Sequence, residues 1–229
     1  MSTELSDFQA GKFILINKDK EWTSFDVVNK IRGSIKYHFN IKKIKVGHAG
    51  TLDPLATGLL IIGTGKKTKE LQIHQDAPKE YITTIKLGAT TPSFDLETEE
   101  DEIFSTENIT EEKIRNVVKS FIGKQKQIPS SFSAKWINGK RAYESARKGE
   151  KVELAPVDIE IYEIEILNIS IPFVELRIKC SKGTYIRAIA RDIGKVLNNG
   201  GYLTNLKRTK IGNFSIKDAI TVEEFQKML

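Results

Sequence analysis

Strand-like and helix-like patterns alternate from one end of this sequence to the other, and that alternation predicts a single mixed α/β domain. Two further observations agree with it. The 229 residues are 39% hydrophobic, enough for one large domain to bury a sizeable core without staples. No apolar run exceeds about half a dozen residues, far short of the roughly 18 needed to cross a bilayer. No internal repeat, low-complexity tract or clear linker divides the chain.

The elements follow in order. Residues 12–17 predict a strand. Thr23 and Ser24 can cap a helix over 25–38, with Asp26 as capping-box partner and Val28, Ile31 and Ile35 as its apolar stripe. Short strands at 44–47 and 59–63 flank a glycine-rich loop, 47–58. Residues 80–89 form another strand, and the acidic run 95–102 a solvated loop. A helix over 110–121 turns Ile114, Val117, Val118 and Phe121 one way. Residues 124–151 are basic and rich in Ser, Gln and Gly, an inserted excursion with a short helix at 140–148. Two β-rich stretches follow, 157–169 and 173–181. A helix over 185–197 buries Ile186, Ile189, Ile193 and Val196, and the NNGG stretch (198–201) stops it through positive φ at its glycines. A strand near 210–216 leads to a last helix capped by Thr221 with Glu224.

Composition narrows the function classes. A lone cysteine, Cys180, excludes a disulfide framework and any multi-cysteine metal site. The N-terminus lacks the charged-then-apolar layout of a secretory signal, so a reducing, cytoplasmic setting is expected. Net charge is +6, unevenly spread: residues 1–70 carry +5, 71–123 carry −6, 124–151 carry +6, 152–179 carry −4 and 180–229 carry +5. Three basic blocks suit a polyanion-binding face if folding gathers them, and an ordinary solvated surface if it does not.

Chemistry is concentrated in two stretches. In VGHAGTLDPLATG (46–58), Pro54 biases Asp53 toward an extended backbone, able to project its side chain from a glycine-rich turn, with His48 in the same loop. In CSKGTYIRAIARDIG (180–194), Thr184 and Tyr185 stand at a helix start, and Arg187 and Arg191 share a face one turn apart. An arginine near a buried carboxylate holds it ionised; a solvated ridge is the other reading. Tyr81 in KEYITTIKLG is core by its spacing. The stretch GTGKKT (63–68) is no phosphate loop, because Leu60 stands where that pattern needs glycine. His38, His48, His74 and Cys180 show no metal-ligand spacing.

GHAGTLDPLATG, KEYITTIKLG, SKGTYIRAIARDIG and LKRTKIGNF occur here in the order seen in the bacterial tRNA pseudouridine-55 synthases of the TruB type, and IPSSFSAKWINGKRAYESARKGE resembles that family's inserted RNA-gripping element. The resemblance covers roughly residues 12–225. It implies an α+β pseudouridine synthase fold, a mixed and largely antiparallel sheet with flanking helices, as a single catalytic domain. It implies isomerisation of one uridine in the tRNA T loop by base flipping, without metal, nucleotide or redox cofactor, by a monomer that meets no membrane. By resemblance Asp53 is the nucleophile, Arg187 its charge partner, and Tyr81 the ring that stacks on the target base. Tyr185 and Leu206 line the uracil pocket, His48 enters the T loop, and Lys18 supports the site.

Four features depart from the family pattern. NKDKEWTS (17–24) has Asp19 and Glu21 where the family has proline and glycine, which puts the local turn in question but keeps Lys18. The insert reads PSSFSA for the commoner PPxYSA, keeping an aromatic at Phe132. Tyr202 stands where some members carry histidine. The sequence stops where many relatives append a further RNA-binding (PUA) domain, so weaker contact with the acceptor end of tRNA is expected. Two other readings stay open here: a non-catalytic RNA-binding or tRNA-folding module on the same scaffold, and a hydrolase using Asp53 with His48.

Overall fold

The computed structural model describes residues 4–133, 135–137, 139–150 and 152–229. Ala134, Asn138 and Lys151, within the expected insert, lie outside the described residues. The chain groups into two compact units, Met1–Tyr81 with Leu206–Leu229, and Ile82–Asn205.

The first unit is organised around β3 (Thr57–Thr64). Its LLII run is buried on both faces, which explains why it is continuously apolar rather than alternating. Leu60 and Ile62 join a core with Phe8 of α1 (Leu5–Ala10), Val27, Val28, Ile31 and Ile35 of α2 (Ser24–His38), and Val222 and Phe225 of α7 (Val222–Met228). Leu59 and Ile61 pack the other way, with Leu71 of α3 (Leu71–Asp76) and Ile211. β1 (Phe13–Lys18) runs antiparallel to β3, as does β2 (Val46–Ala49). The end of β12 (Gly201–Ile211) runs parallel to β3 and pairs with β13 (Phe214–Ser215). The registers put Lys18 opposite Gly58 on one side and Arg208 opposite Gly58 on the other.

Local chemistry starts α2 as expected. Thr23 accepts from the Asp26 amide while the Asp26 carboxylate accepts from the Thr23 amide, a full capping box worth about 1 kcal/mol. Just upstream, Glu21 adopts φ 71°, the left-handed conformation glycine holds cheaply. The turn that the Asp19 and Glu21 substitutions put in question is therefore formed, with strain at Glu21.

The second unit contains the remainder of β4 (Lys79–Leu87), then β11 (Phe173–Cys180), β10 (Val157–Ser170) and β7 (Gly123–Gln127), in that order across its sheet. β10 and β11 form a long antiparallel hairpin with two register shifts. α4 (Glu111–Ser120), capped by Thr110, and α6 (Ile186–Val196) pack together, and α4 also packs on β10. Two short pairings complete it, β5 (Ala89–Thr90) with β6 (Glu102–Ile103) and β8 (Trp136–Ile137) with β9 (Lys140–Arg141), the latter leading into α5 (Ala142–Ala146).

Several sequence expectations are corrected. Residues 124–127 are not excursion, for with Gly123 they form β7, antiparallel to β10. The expected strand near 210–216 is the tail of an 11-residue strand beginning at Gly201, followed by β13. Val196 is 56% exposed, not buried. At NNGG the positive φ falls on Asn198. Gly200 is there because a side chain would meet the Ala89 backbone at 2.4 Å.

Two exchanges involving glycine should differ sharply in chemical denaturation. Glu21→Gly removes the left-handed strain and is expected to leave stability unchanged or raise it by up to about 1 kcal/mol. Gly58→Ala is expected to cost more than about 3 kcal/mol, because its Cβ would lie 2.3 Å from the Arg208 carbonyl oxygen at φ 103°.

Candidate functional site

Asp53 lies on the short loop between β2 and β3, half-buried. The loop is anchored at both ends and in the middle. At its start the Arg208 guanidinium donates to the carbonyls of Gly50 (3.0 Å) and Thr51 (3.5 Å). Next, Ser24 Oγ accepts from the Leu52 amide at 2.9 Å. On the far side Pro54 O accepts from the Glu21 amide (2.8 Å) and from Lys18 Nζ (3.3 Å). Gly50, at φ 83°, supplies the left-handed turn this path needs.

The two anchoring cations are both buried, Lys18 fully and Arg208 to 1% exposure. Lys18 Nζ also donates to the carbonyls of Asp19 (2.8 Å) and Trp22 (2.6 Å). Burial pushes its pKa down to about 8, against the attraction of Asp53 and then Asp19. Coulomb attraction is mutual, so the Lys18 ammonium favours the Asp53 carboxylate. Burial also lowers Arg208, opposed first by Tyr81 and then by Asp53. Tyr81 on β4 is 8% exposed and its side chain hydrogen-bonds to that guanidinium. Arg208 lies in the LKRTKIGNF stretch, yet sequence reasoning passed over it; a basic residue inside an otherwise alternating strand was the available signal.

His48 is on β2, half-buried, its Nδ1 buried without a hydrogen-bond partner among the described residues. Burial first, and the Arg208 charge second, lower its pKa, so the ring is neutral near pH 7. It borders an open cavity of about 590 Å³ that Arg32, Lys45 and Lys69 also line. Leu206, half-buried on β12, places its carbonyl 3.5 Å from the Thr57 hydroxyl that donates to it.

Arg187 and Tyr185 belong to the second unit, at the start of α6. Arg187 is 3% exposed, so it forms no solvated ridge. Its guanidinium donates to Ser93 O (3.1 Å) and Phe132 O (2.9 Å), and Nε lies 3.5 Å from Asp95 Oδ2. Asp95 opens the acidic run expected to be solvated, but it is buried beside Arg187. Gln127 grips the Tyr185 backbone, accepting from its amide (2.8 Å) and donating to its carbonyl (3.1 Å). Arg191 donates to Ile128 O (2.9 Å) and stands over the Phe94 ring. Tyr202 donates to Glu100 at 2.7 Å. Among the described residues no group of three or more His, Cys, Asp or Glu could hold a metal ion, and no helix is long and apolar enough to cross a membrane.

This architecture is the α+β fold of the pseudouridine synthases. A crystal structure of a Cbf5-Nop10-Gar1 complex contains a chain that superposes with a TM-score of 0.71 at 28% identity, covering 96% of this chain and 54% of that one. The structure of an H/ACA RNP bound to a substrate RNA containing 2′-deoxyuridine gives 0.68, also at 28%, with 96% and 53% covered. This chain therefore spans about half the length of those chains. The chain belongs to the TruB family of pseudouridylate synthases: the model for that family's N-terminal domain matches residues 36–186, and that for the tRNA pseudouridylate synthase B C-terminal domain matches 187–229. Its relatives include the tRNA pseudouridine synthases B of Phocaeicola vulgatus, 53% identical over 97% of this chain and 95% of that protein, and of Flavobacterium johnsoniae, 48% identical over 97% and 98%.

The Lys18 environment makes a signed prediction. Its ammonium should titrate near pH 8 by carbon-13 NMR of the lysine side chain. Removing the negative charge in Asp53→Asn takes away the main influence holding that value up, so the midpoint should fall; equal midpoints would show that the two groups do not interact. Because the folded value is depressed, the native state binds fewer protons than the unfolded chain between about pH 8 and 10.5. This group's contribution to stability therefore rises with pH across that window.

Proposed function

We propose that this protein converts the uridine at position 55 of the tRNA T loop to pseudouridine, with Asp53 as nucleophile. The membership of nearly the whole chain in the TruB family carries the reading. The chemistry suits the residues. Uridine and pseudouridine are isomers: the bond from C1′ to N1 breaks, one from C1′ to C5 forms, the C5 proton leaves and N1 gains one. No oxidant, reductant or group donor is consumed, so the reading calls for no cofactor. What it needs is a carboxylate that stays charged while partly removed from water, and the Lys18 ammonium attracting Asp53 supports that requirement.

By the family resemblance, Arg187 is the charge partner of Asp53 in this reading, and Tyr185 and Leu206 are the residues that line the uracil pocket. The target base sits in a folded loop and must be extruded at a cost of a few kcal/mol. Stacking on the Tyr81 ring returns roughly 1–3 kcal/mol. The remainder comes from phosphate contacts of the three basic blocks and from His48 filling the vacated position. Recognition depends on loop shape and unstacked bases more than on duplex sequence. We take the single catalytic domain, acting as a monomer in the cytoplasm, to be sufficient.

The test uses a T-arm RNA and carbodiimide-dependent reverse-transcription stops at pseudouridine. Wild type should give the stop at position 55, and Asp53→Asn should bind the RNA and give none; wild-type turnover by that variant would overturn the assignment. Tyr81→Leu should lower kcat by roughly tenfold to a hundredfold while leaving the dissociation constant within about threefold, the loss of about one stacked base.

A further inference from the structure

We propose that Arg208 is a positioning residue of this site: one guanidinium fixes both the backbone that leads into Asp53 and the phenol of Tyr81. The inference rests on the reading of Asp53 and Tyr81 above and adds to it a residue that reading does not use.

Four observations carry it. First, Arg208 is 1% exposed. Burying a guanidinium is costly, and an apolar side chain would serve packing alone at least as well. Second, its hydrogen bonds go to Gly50 O, Thr51 O and Leu59 O (2.8 Å), carbonyls on both sides of Asp53 along the chain, and to Tyr81. A planar fork can span several such acceptors at once, and a lysine cannot. Third, Gly58 sits opposite Arg208 in register, and no side chain fits there: a Cβ would meet the Arg208 backbone at 2.3 Å. The close approach that lets the guanidinium reach under the loop is therefore built into a neighbouring strand. Fourth, Lys18, opposite the same Gly58, holds Pro54 O. Arg208 fastens the stretch before Asp53 and Lys18 the residue after it.

The test is steady-state kinetics on a T-arm RNA, with pH–rate profiles and thermal melting, for Arg208→Lys and Arg208→Gln, each also made in a Tyr81→Phe background. Wild-type product formation is measured first, so failure of the functional reading shows separately, as no product from the unaltered protein. Arg208→Lys keeps the charge and loses the fork. It should lower kcat about tenfold or more with KM within about twofold and the acid limb unmoved. Arg208→Gln also loses the charge, so its acid limb should move to higher pH. In the Tyr81→Phe background, where the bond to the phenol is already gone, the kcat loss from Arg208→Lys should shrink by at least about threefold. If Arg208→Gln does not fold, the lysine variant and its coupling to Tyr81→Phe decide the matter alone. Equal kcat losses from Arg208→Lys in both backgrounds, losses that simply follow melting temperature, or an unmoved acid limb in a folded Arg208→Gln overturn the proposal and leave Arg208 a structural residue.

Discussion

The first unit depends on keeping two positive charges out of water beside one carboxylate. Lys18 and Arg208 occupy strands on either side of β3, both in register with Gly58. Paired residues on adjacent strands project to the same face of a sheet, so the two cations flank a position with no side chain at all. Such charges persist in a protein interior only when hydrogen bonds and counter-charge offset their desolvation. Here the offset comes from loop carbonyls and from Asp53. The same interactions that make the buried cations tolerable thus determine where the loop lies, and the loop's path and its electrostatics cannot be altered independently.

The second unit solves a related problem with different parts. Arg187 is buried on the first turn of α6, where a helix of that amphipathic character would ordinarily present an aliphatic side chain. Asp95 and two backbone carbonyls satisfy it. The turn that supplies Ser93 and Asp95 includes Phe94 at φ 64°, strained for a bulky side chain. Its ring is covered by Arg191, one helical turn beyond Arg187. Strain of this kind persists only where surrounding contacts over-determine the geometry.

Much of this was legible in the residues, and the failures have physical causes. The capping boxes at Thr23 and Thr221 are local chemistry and appeared where the sequence put them. The motif resemblance picked out Asp53, Tyr81 and Arg187, while spacing alone favoured core for Tyr81, and the side chain is indeed nearly buried. What local patterns missed was long-range. Nothing in the basic stretch after Phe121 says that it pairs with β10, because the partner lies some thirty residues on and the strand alternates Lys with Gln. Asp95 looked like the first residue of a solvated run; its burial depends on an arginine more than ninety positions away. Arg208 was hidden inside a strand whose other basic residues face solvent.

Helix α6 also clasps the end of β7 and the segment that follows it. Tyr185 is bonded twice to Gln127, Arg191 reaches Ile128 O, and Arg187 reaches Phe132 O. Three residues between Gln127, the last of β7, and Phe132 are thus stapled to two turns of one helix. A tug on that segment must break these staples or drag the tyrosine and arginine with it. The position of that segment and the alignment of the helix's first turn are therefore held by the same few hydrogen bonds.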